Sequence, residues 1–367
     1  MYIWNRWHPL VIAAFIVPLC YSNLTGDTSM PTKMFVLSIF TLLAAWDVRV
    51  RFTGIDIIPG LLLMLALIHW HGDARGTLYL AHMVIGVCIY FIAKGMDFEQ
   101  YELWIYALVL SAIPISLLTI YEYLTGNILA HSPQPPAATF SVRNHLGTYL
   151  AVIVPMTYRL YLHGHNWAIH VATLSMIALI YSRTRSAWLA ACICLIVVFA
   201  CTRRYFMRIK PIPFIISTAF ILAFALCPPA RNMQRQASIT STAVSIVQVE
   251  DAGRFSVWRE TFRLIVAQPL GSGLGTWEKR FVREGNELIY HPHNDYLWLA
   301  TELGIPAAML WIYLLAFSMW RTRSSPLLYI SILAIAIDSC FNFPLTRPMG
   351  IFIIWASIGR ASRYSSL

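Results

Sequence analysis

The chain has 367 residues, of which 58% are hydrophobic and only 12% are charged, and its mean hydropathy is +0.62. Because soluble domains are about a quarter charged, this composition excludes a soluble globular domain and indicates a polytopic membrane protein. The formal net charge of +10 is typical of basic cytoplasmic loops beside anionic headgroups. We therefore expect membrane lipids, and no nucleic acid, as partners.

Apolar runs of helix-spanning length recur from one end of the chain to the other, unlike the alternating pattern of a membrane β-barrel. They predict an all-α polytopic membrane protein with about twelve transmembrane helices in a single integral membrane domain, residues 1–367. The first run could also pass for a signal peptide, but further spans follow at once and favour a retained helix. The predicted spans are 10–21, 31–47, 55–71, 77–94, 102–124, 146–162, 167–182, 186–202, 211–228, 295–319, 326–341 and 346–360.

A long polar segment, residues 229–291, separates the ninth and tenth predicted spans. It contains the pattern of an amphipathic helix that lies on the membrane surface or over a cavity. The apolar face holds Phe255, Trp258, Phe262 and Ile265, and another face holds Arg259 and Arg263. The glycine-rich run Gly271–Gly275 follows, without a preceding strand or a Walker lysine, so a turn is favoured over a phosphate-binding loop.

Lysines and arginines in the short loops favour an orientation with both termini in the cytoplasm. The long polar segment and His293 then lie on the outer face. The short loops on the same face hold Lys33, Arg75, Arg143, Arg183, Arg185 and Arg347. Arginines on the face that the rule disfavours need a reason, and binding an anion is one.

The stretch His291–Gly304 is the candidate working centre, because it joins the polar segment to an apolar one. A helix that begins here would carry His293 and Asn294 at its mouth, where Asn294 or the flanking backbone could accept from the free N–H groups of the first turn. His293, Leu297, Ala300 and Gly304 would share one face of that helix. Spacing alone leaves a functional site and an ordinary interfacial helix end equally open.

The outer basic residues suit a phosphorylated lipid and an alcohol as substrates. Arginine captures phosphate oxygens in bidentate fashion, and histidine can accept a proton from a hydroxyl. The set comprises Arg143, Arg183, Arg185, Arg254 and His293. For each arginine alone, a headgroup contact is an equal alternative.

Neither a metal nor an organic cofactor is expected. His291, His293 and Asp295 form His-x-His-x-Asp, but alternate residues point apart on a helix. The seven cysteines lie within or at the edge of apolar runs without ligand spacing. A nucleotide-binding G-x-x-x-x-G-K-[ST] loop is absent from the sequence, so the lipid substrate itself should drive the reaction.

Five motifs occur in an order that resembles the O-antigen ligase and polymerase superfamily. They are Arg143-Asn-His-Leu-Gly147, Ser182-Arg-Thr-Arg185 with Leu189, Gly253-Arg254 with Trp258, Pro269-x-Gly271-x-Gly273-x-Gly275, and His293-Asn294 with Gly304. The resemblance covers about residues 140–315 and is closest to the ligases at Arg185-x-x-x-Leu189 and His293-Asn294-x9-Gly304. Ala307 departs from the ligase pattern, which usually has Gly, Thr or Tyr there.

The resemblance implies an inner-membrane glycosyltransferase with a GT-C-like helical fold, a periplasmic active site and no metal requirement. It would transfer O-antigen glycan from undecaprenyl diphosphate to a hydroxyl of lipid A–core in lipopolysaccharide assembly. Carried over by position, Arg185 and Arg254 would hold the diphosphate, with Arg143 nearby, and His293 would activate the acceptor. Further substrate-binding candidates are Arg183, Asn294, His291 and Arg259.

Other functions stay open at this point. An O-antigen polymerase would use another lipid-linked glycan as acceptor, and a protein-glycosylating relative would usually carry more sequence after Ile358. A secondary transporter also suits twelve spans, but it should show paired broken helices or ionisable residues at mid-membrane depth. Asp338 is the obvious intramembrane acid, and the notable charges gather at one face, which argues against transport.

Overall fold

A computed structural model shows a chain built from helices. It describes residues 8–22, 30–46, 52–129, 136–201, 218, 254–277 and 291–363. These ranges contain thirteen α-helices and no strand, with short 3-10 turns at Gly54–Asp56 and Pro344–Thr346. The helices are α1 (Pro9–Leu19), α2 (Met30–Ala45), α3 (Ile57–Ile68), α4 (Ala74–Gly95), α5 (Phe98–Thr125), α6 (Arg143–Leu162), α7 (Ala168–Ser182), α8 (Arg185–Cys201), α9 (Arg254–Ala267), α10 (Asp295–Glu302), α11 (Ile305–Arg321), α12 (Pro326–Asp338) and α13 (Pro348–Arg363).

The all-helical prediction is confirmed for the described ranges, and the helices are those of a membrane protein. Three helices are long and apolar enough to cross a membrane: α4, α5 and α11. Six shorter stretches of helix are also apolar. Each predicted span has a helix at its position except 211–228, which lies outside the described residues apart from position 218. Twelve spans and a GT-C-like arrangement stay predictions.

Close backbone contacts hold the bundle together where glycine removes a side chain. A Cβ added to Gly359 on α13 would lie 2.1 Å from the carbonyl oxygen of Tyr90 on α4. A Cβ on Gly86 of α4 would lie 2.3 Å from the indole nitrogen of Trp355 on α13. Small residues permit this approach between membrane helices. On the other side of the bundle, α12 packs on α6 and α8, and this contact positions the candidate site.

The single predicted span at 295–319 is wrong, because α10 and α11 are separate helices. Gly304 lies between them with a φ of 90°, a left-handed conformation that glycine adopts without steric cost. The Ile305 N–H donates to the carbonyl of Pro269 at 2.9 Å. A Cβ on Gly304 would lie 2.5 Å from the carbonyl carbon of Leu270. The absence of a side chain at Gly304 therefore lets the loop that follows α9 pack directly against the backbone between α10 and α11.

The predicted apolar face of α9 is only partly correct. Val257, Thr261 and Ile265 are buried, and Ile265 belongs to the predicted face. Phe255 and Phe262 are 53% and 60% exposed, on the side that carries the two arginines. Apolar residues occur on both sides of the helix, so periodicity alone does not say which side packs inward.

The glycine-rich run forms the predicted turn, and N–H groups in and after the run donate hydrogen bonds to a carboxylate of the protein. Glu302 at the end of α10 accepts hydrogen bonds from the N–H of Gly275 at 2.8 Å and of Trp277 at 3.0 Å. The Gly273 N–H donates to the carbonyl of Glu302 at 3.1 Å. These hydrogen bonds fix the turn, and with it the loop after α9, against the end of α10.

Candidate active site

Three arginines of the predicted site lie close together, at the starts of α6 and α8 and at the end of α7. Arg143 is the first residue of α6, and Arg185 is the first residue of α8. Between α7 and α8, Arg183 adopts a left-handed conformation with φ of 53°. The Thr184 hydroxyl donates to the carbonyl of Arg143 at 3.1 Å. A Cβ on Gly147 would lie 2.7 Å from Cβ of Thr184, so the glycine of this motif lets the α7–α8 turn rest on α6.

The three arginines form a concentrated positive charge. Burial, and then the charges of Arg183 and Arg185, lower the pKa of Arg143. The Arg183 side chain is buried, with its guanidinium 5.4 Å from the centre of the Tyr123 ring. Within the described part of the chain, its three guanidinium nitrogens have no hydrogen-bond acceptor. Buried cations and helix N-termini both favour a nearby anion.

A buried carboxylate links this cluster to the end of α12. Asp338 accepts hydrogen bonds from the hydroxyl of Thr148 and from the amide of Asn342, the latter at 2.7 Å. The Asn342 amide also donates to the hydroxyl of Ser186 at 2.7 Å, and Ser186 follows Arg185 directly. Asp338 therefore holds the start of α8. Sequence reasoning treated it only as a membrane acid, because partners on distant helices are invisible in a single apolar run.

The predicted donor arginine on α9 lies beside the histidine loop. The Trp258 indole N–H donates to the carbonyl of Pro292 at 2.9 Å, which fixes α9 against this loop. Arg254, on the first turn of α9, is close enough to interact electrostatically with both His293 and Asp338. One arginine thereby approaches both the acid and the candidate base.

Asn294 has a structural role at the start of α10. As the sequence predicts, it caps the helix: its side-chain oxygen accepts from the Leu297 N–H at 3.0 Å. Its amide nitrogen donates to the carbonyl of Cys340 at 3.0 Å. The neighbouring Asp295 carboxylate accepts from the Ser339 hydroxyl and the Leu345 N–H. These bonds fasten the histidine loop to the segment between α12 and α13.

His293 lies before α10 in an unusual backbone conformation. Its φ is 53°, so it is not part of the helix. The predicted helical face that His293 shares with Leu297 is therefore wrong. Among described non-glycine residues with positive φ, His293 and Arg183 are joined only by Ala138. This conformation costs a non-glycine residue about 1–2 kcal/mol, and such strain is concentrated at functional sites.

The environment of His293 keeps its imidazole neutral. Burial, and then the charges of Arg254 and Arg347, lower the pKa of His293 to about 4. Its Nδ1 is buried without a hydrogen-bond partner in the ranges that the structure covers. A neutral ring carries the lone pair that a general base needs.

His291 is more deeply enclosed than His293. Its ring lies 4.6 Å from Phe343 and 5.7 Å from Trp298, and its Nδ1 accepts the His293 N–H at 3.2 Å. Burial is the main cause that lowers the pKa of His291 well below its usual range. Its position suits support of the His293 backbone better than direct contact with a substrate.

Sequence reasoning missed two further residues around the Phe343 ring. The ring of His145 lies 5.5 Å from Phe343, the ring of His293 lies 5.1 Å from it, and the Arg347 guanidinium lies 4.7 Å from it. His145 belongs to the motif that begins at Arg143, so the resemblance could have marked it. Arg347 had only one signal, which was its position on the outer face in the predicted orientation.

Two groupings that the sequence allows are not formed. Arg259 is exposed on α9 and is not brought to the cluster by any contact described for it. The run His291-x-His293-x-Asp295 does not gather into a ligand set, because Asp295 faces Ser339 and Leu345. Within the described residues, no group of three or more His, Cys, Asp or Glu side chains is placed to hold a metal ion.

The lowered pKa predicts an unusual pH profile for a histidine-dependent reaction. A base is lost as pH falls through its pKa, so kcat/KM for an acceptor should stay flat from pH 8 to about pH 5 and fall near pH 4. An ordinary histidine would lose activity near pH 6.5. Initial rates at limiting acceptor measure this profile. Arg347→Gln, which removes one of the two charges, should move the midpoint to higher pH. The titratable neighbours of the His293 ring are His145 and His291. A wild-type midpoint near 6.5 would contradict a ring that its surroundings keep neutral.

One comparison with known proteins bears on this arrangement. The family model for the O-antigen ligase matches residues 170–312. That range contains Arg185, Arg254 and His293, whereas Asp338 and Arg347 lie beyond it. No curated protein sequence matches the chain.

Proposed function

The chain is a member of the O-antigen ligase and polymerase superfamily, and on that premise we propose that it is a metal-independent O-antigen ligase. It would transfer the glycan from undecaprenyl diphosphate to a hydroxyl of lipid A–core. The observation that carries this proposal is the juxtaposition of clustered arginines with a neutral, buried histidine. The two groups match the two chemical needs of the transfer, a held diphosphate and an activated hydroxyl.

The arginines would act on the donor. Undecaprenyl diphosphate leaves with growing negative charge, and prearranged cations stabilise that charge in the transition state. Arg185 and Arg254 are proposed as direct ligands of the diphosphate, and Arg143 and Arg183 as neighbours that strengthen the local field. The mutual proximity of Arg143, Arg183 and Arg185 supports this assignment.

His293 would act on the acceptor. It would accept the proton of the attacking hydroxyl as the new glycosidic bond forms and the bond to the diphosphate breaks. The lowered pKa of its ring keeps the lone pair available at neutral pH. The His291 ring and the Asn294 cap would hold the backbone of His293 in place.

The proposal is tested by incubating purified protein with undecaprenyl-diphosphate-linked O-antigen and lipid A–core, without ATP. We expect a core-linked glycan of higher mass and free undecaprenyl diphosphate in equal amounts. A second reaction contains lipid-linked glycan as the sole acceptor. Extension of that glycan, with no product on the core, would identify a polymerase, which the departure at Ala307 keeps as the alternative.

Metal independence makes a separate prediction. Because the proposed stabilising charges are arginines, transfer should continue in excess EDTA at a rate within about twofold of the untreated rate. The measurement is the initial rate after dialysis against chelator, with added Mg²⁺ or Mn²⁺ as the comparison. Activity abolished by EDTA and restored by one metal would overturn the prediction.

The location also remains to be tested. We propose a bacterial inner-membrane protein with a periplasmic active site and both termini in the cytoplasm. Cysteines introduced near Ser245 and near Arg204, two sites outside the described residues, should show opposite accessibility to a membrane-impermeant thiol reagent in whole cells. Equal or reversed labelling would reject this orientation.

A further inference from the structure

A cleft beside Phe343 carries a second concentration of positive charge. Its polar lining comes from Lys33, His145, Thr148, Asn342 and Arg347, and we call it the Arg347 cleft. Apolar residues, including Met30 and Met349, complete its walls. A mixed lining of cations and apolar side chains suits the charged part of a lipid.

Lys33 lines this cleft and is held by the end of α1. Its Nζ donates to the carbonyls of Val17 at 3.2 Å and Cys20 at 2.7 Å, and to the Thr139 hydroxyl at 3.3 Å. Carbonyls at a helix C-terminus favour a cation. The ammonium also lies 4.6 Å from the centre of the Phe140 ring. The lysine therefore contributes a fixed positive charge to one wall.

Arg347 supplies the other cation of the cleft. Its guanidinium lies 4.7 Å from the centre of the Phe343 ring, and its Nη1 lies 3.0 Å from the sulfur of Met30. An aromatic face and a thioether thus contact the guanidinium, and its charge also acts on His293 and Asp295. Nε2 of His145, which is buried, has no hydrogen-bond partner among the described residues. When Nδ1 of that ring accepts from the Ser141 hydroxyl, Nε2 carries the hydrogen and is a donor for an anion. The cleft thus combines a cation with an N–H donor.

The Asp338 network lies between this cleft and the proposed donor arginines. Thr148 and Asn342 line the cleft and donate to Asp338. On its other side, Asn342 donates to Ser186, next to Arg185. Hydrogen-bonded side chains therefore connect the lining of the cleft to the residue that follows Arg185, and we treat the two groups of cations as two positions for anions. The His293 ring lies within the influence of both, because Arg254 and Arg347 each act on it.

We propose that the Arg347 cleft binds a phosphate group carried by the acceptor glycolipid, with Arg347 as its main ligand. This inference rests on the proposed function, since the donor diphosphate is assigned to the other arginines. A phosphate monoester carries a charge of about −1.5 to −2 at pH 7, which matches the two cations. Binding there would bring the acceptor hydroxyl towards His293 and make acceptor phosphorylation a determinant of specificity.

The experiment compares a phosphorylated acceptor with the same acceptor after phosphatase treatment. Loss of a hydrogen bond to a charged group costs about 1.5–3 kcal/mol, or roughly 10- to 150-fold. Arg347→Gln should raise KM for the phosphorylated acceptor by about that factor and leave KM for the dephosphorylated one within about twofold. Assays at pH 8 keep His293 neutral in every variant. Donor affinity should not change, and Arg347→Lys should be intermediate.

Arg263→Gln is the matched control, because Arg263 is exposed on α9 and paired with Glu260 at 2.7 Å. Equal effects of Arg347→Gln on both acceptors, or a loss of donor affinity, would overturn the inference. Arg347-dependent binding of phosphatidylglycerol vesicles as tight as acceptor binding would also overturn it, in favour of a bulk-lipid contact. If the wild-type protein transfers nothing, the proposed function fails. Acceptor binding in nanodiscs then tests the cleft by itself, and binding that does not depend on phosphate rejects it.

Discussion

His293→Ala is expected to reduce glycan transfer by about 10²–10⁴-fold, the usual contribution of a positioned general base. An alcohol is a weak nucleophile, and His293 is the less buried of the two histidines before α10. Partial burial and the charges of Arg254 and Arg347 favour its neutral state. The measurement is the initial rate of core glycosylation at saturating donor and limiting acceptor. The variant should reach the membrane in normal amounts, because the hydrogen bond to His291 is donated by the backbone N–H of His293, which alanine retains.

Two companion variants separate the ring from the backbone. His293→Asn introduces a residue that tolerates the left-handed conformation of this position but cannot act as a base. His293→Gln retains a polar side chain of similar length. Both should be as inactive as the alanine variant, and His291→Ala should be milder. Near-normal transfer by His293→Asn would mean that the conformation, and not the imidazole, is what the reaction requires.

Arg185→Lys and Arg254→Lys are expected to lower transfer by about 10- to 100-fold each. Lysine keeps the charge but loses the planar fork that binds two phosphate oxygens at once, and charge-assisted hydrogen bonds are worth about 1.5–3 kcal/mol. Arg185 is placed by the start of α8, and Arg254 by the contact of Trp258 with the histidine loop. The measurement is kcat/KM for the lipid-linked donor.

Arg263→Lys is the control for this pair, since it alters an exposed arginine on the same helix as Arg254. It should leave the donor kinetics unchanged. Membrane accumulation of all three variants should equal that of the wild type. If Arg185→Lys and Arg254→Lys transfer at near-normal rates, the guanidinium fork is not used and the diphosphate lies elsewhere.

Local patterns in the sequence predicted much of the helical framework. Spacing of apolar residues located the helices, and the Asn294 cap follows from the preference of asparagine for helix starts. The order of the motifs brought Arg143, Arg185 and His293 into one hypothesis. These features depend on neighbours along the chain, and a single sequence records such neighbours directly.

Features that depend on distant partners could not be predicted in the same way. The break at Gly304 arises because Leu270 occupies the place of a side chain, while the apolar pattern continues through the break. Asp338 becomes part of the site through Thr148 and Asn342, and Arg347 through the ring of Phe343. A single sequence gives the identities of these residues but does not show which of them are in contact.

The central claim is a division of labour, with arginines that hold the donor and a histidine that activates the acceptor. It is tested most directly by equilibrium binding of labelled undecaprenyl-diphosphate-linked glycan to protein in nanodiscs, in the absence of acceptor. We predict that His293→Asn binds this donor with the affinity of the wild type, whereas Arg185→Lys binds it at least about tenfold more weakly. Unchanged donor affinity in Arg185→Lys, or an equal loss in His293→Asn, would contradict that division.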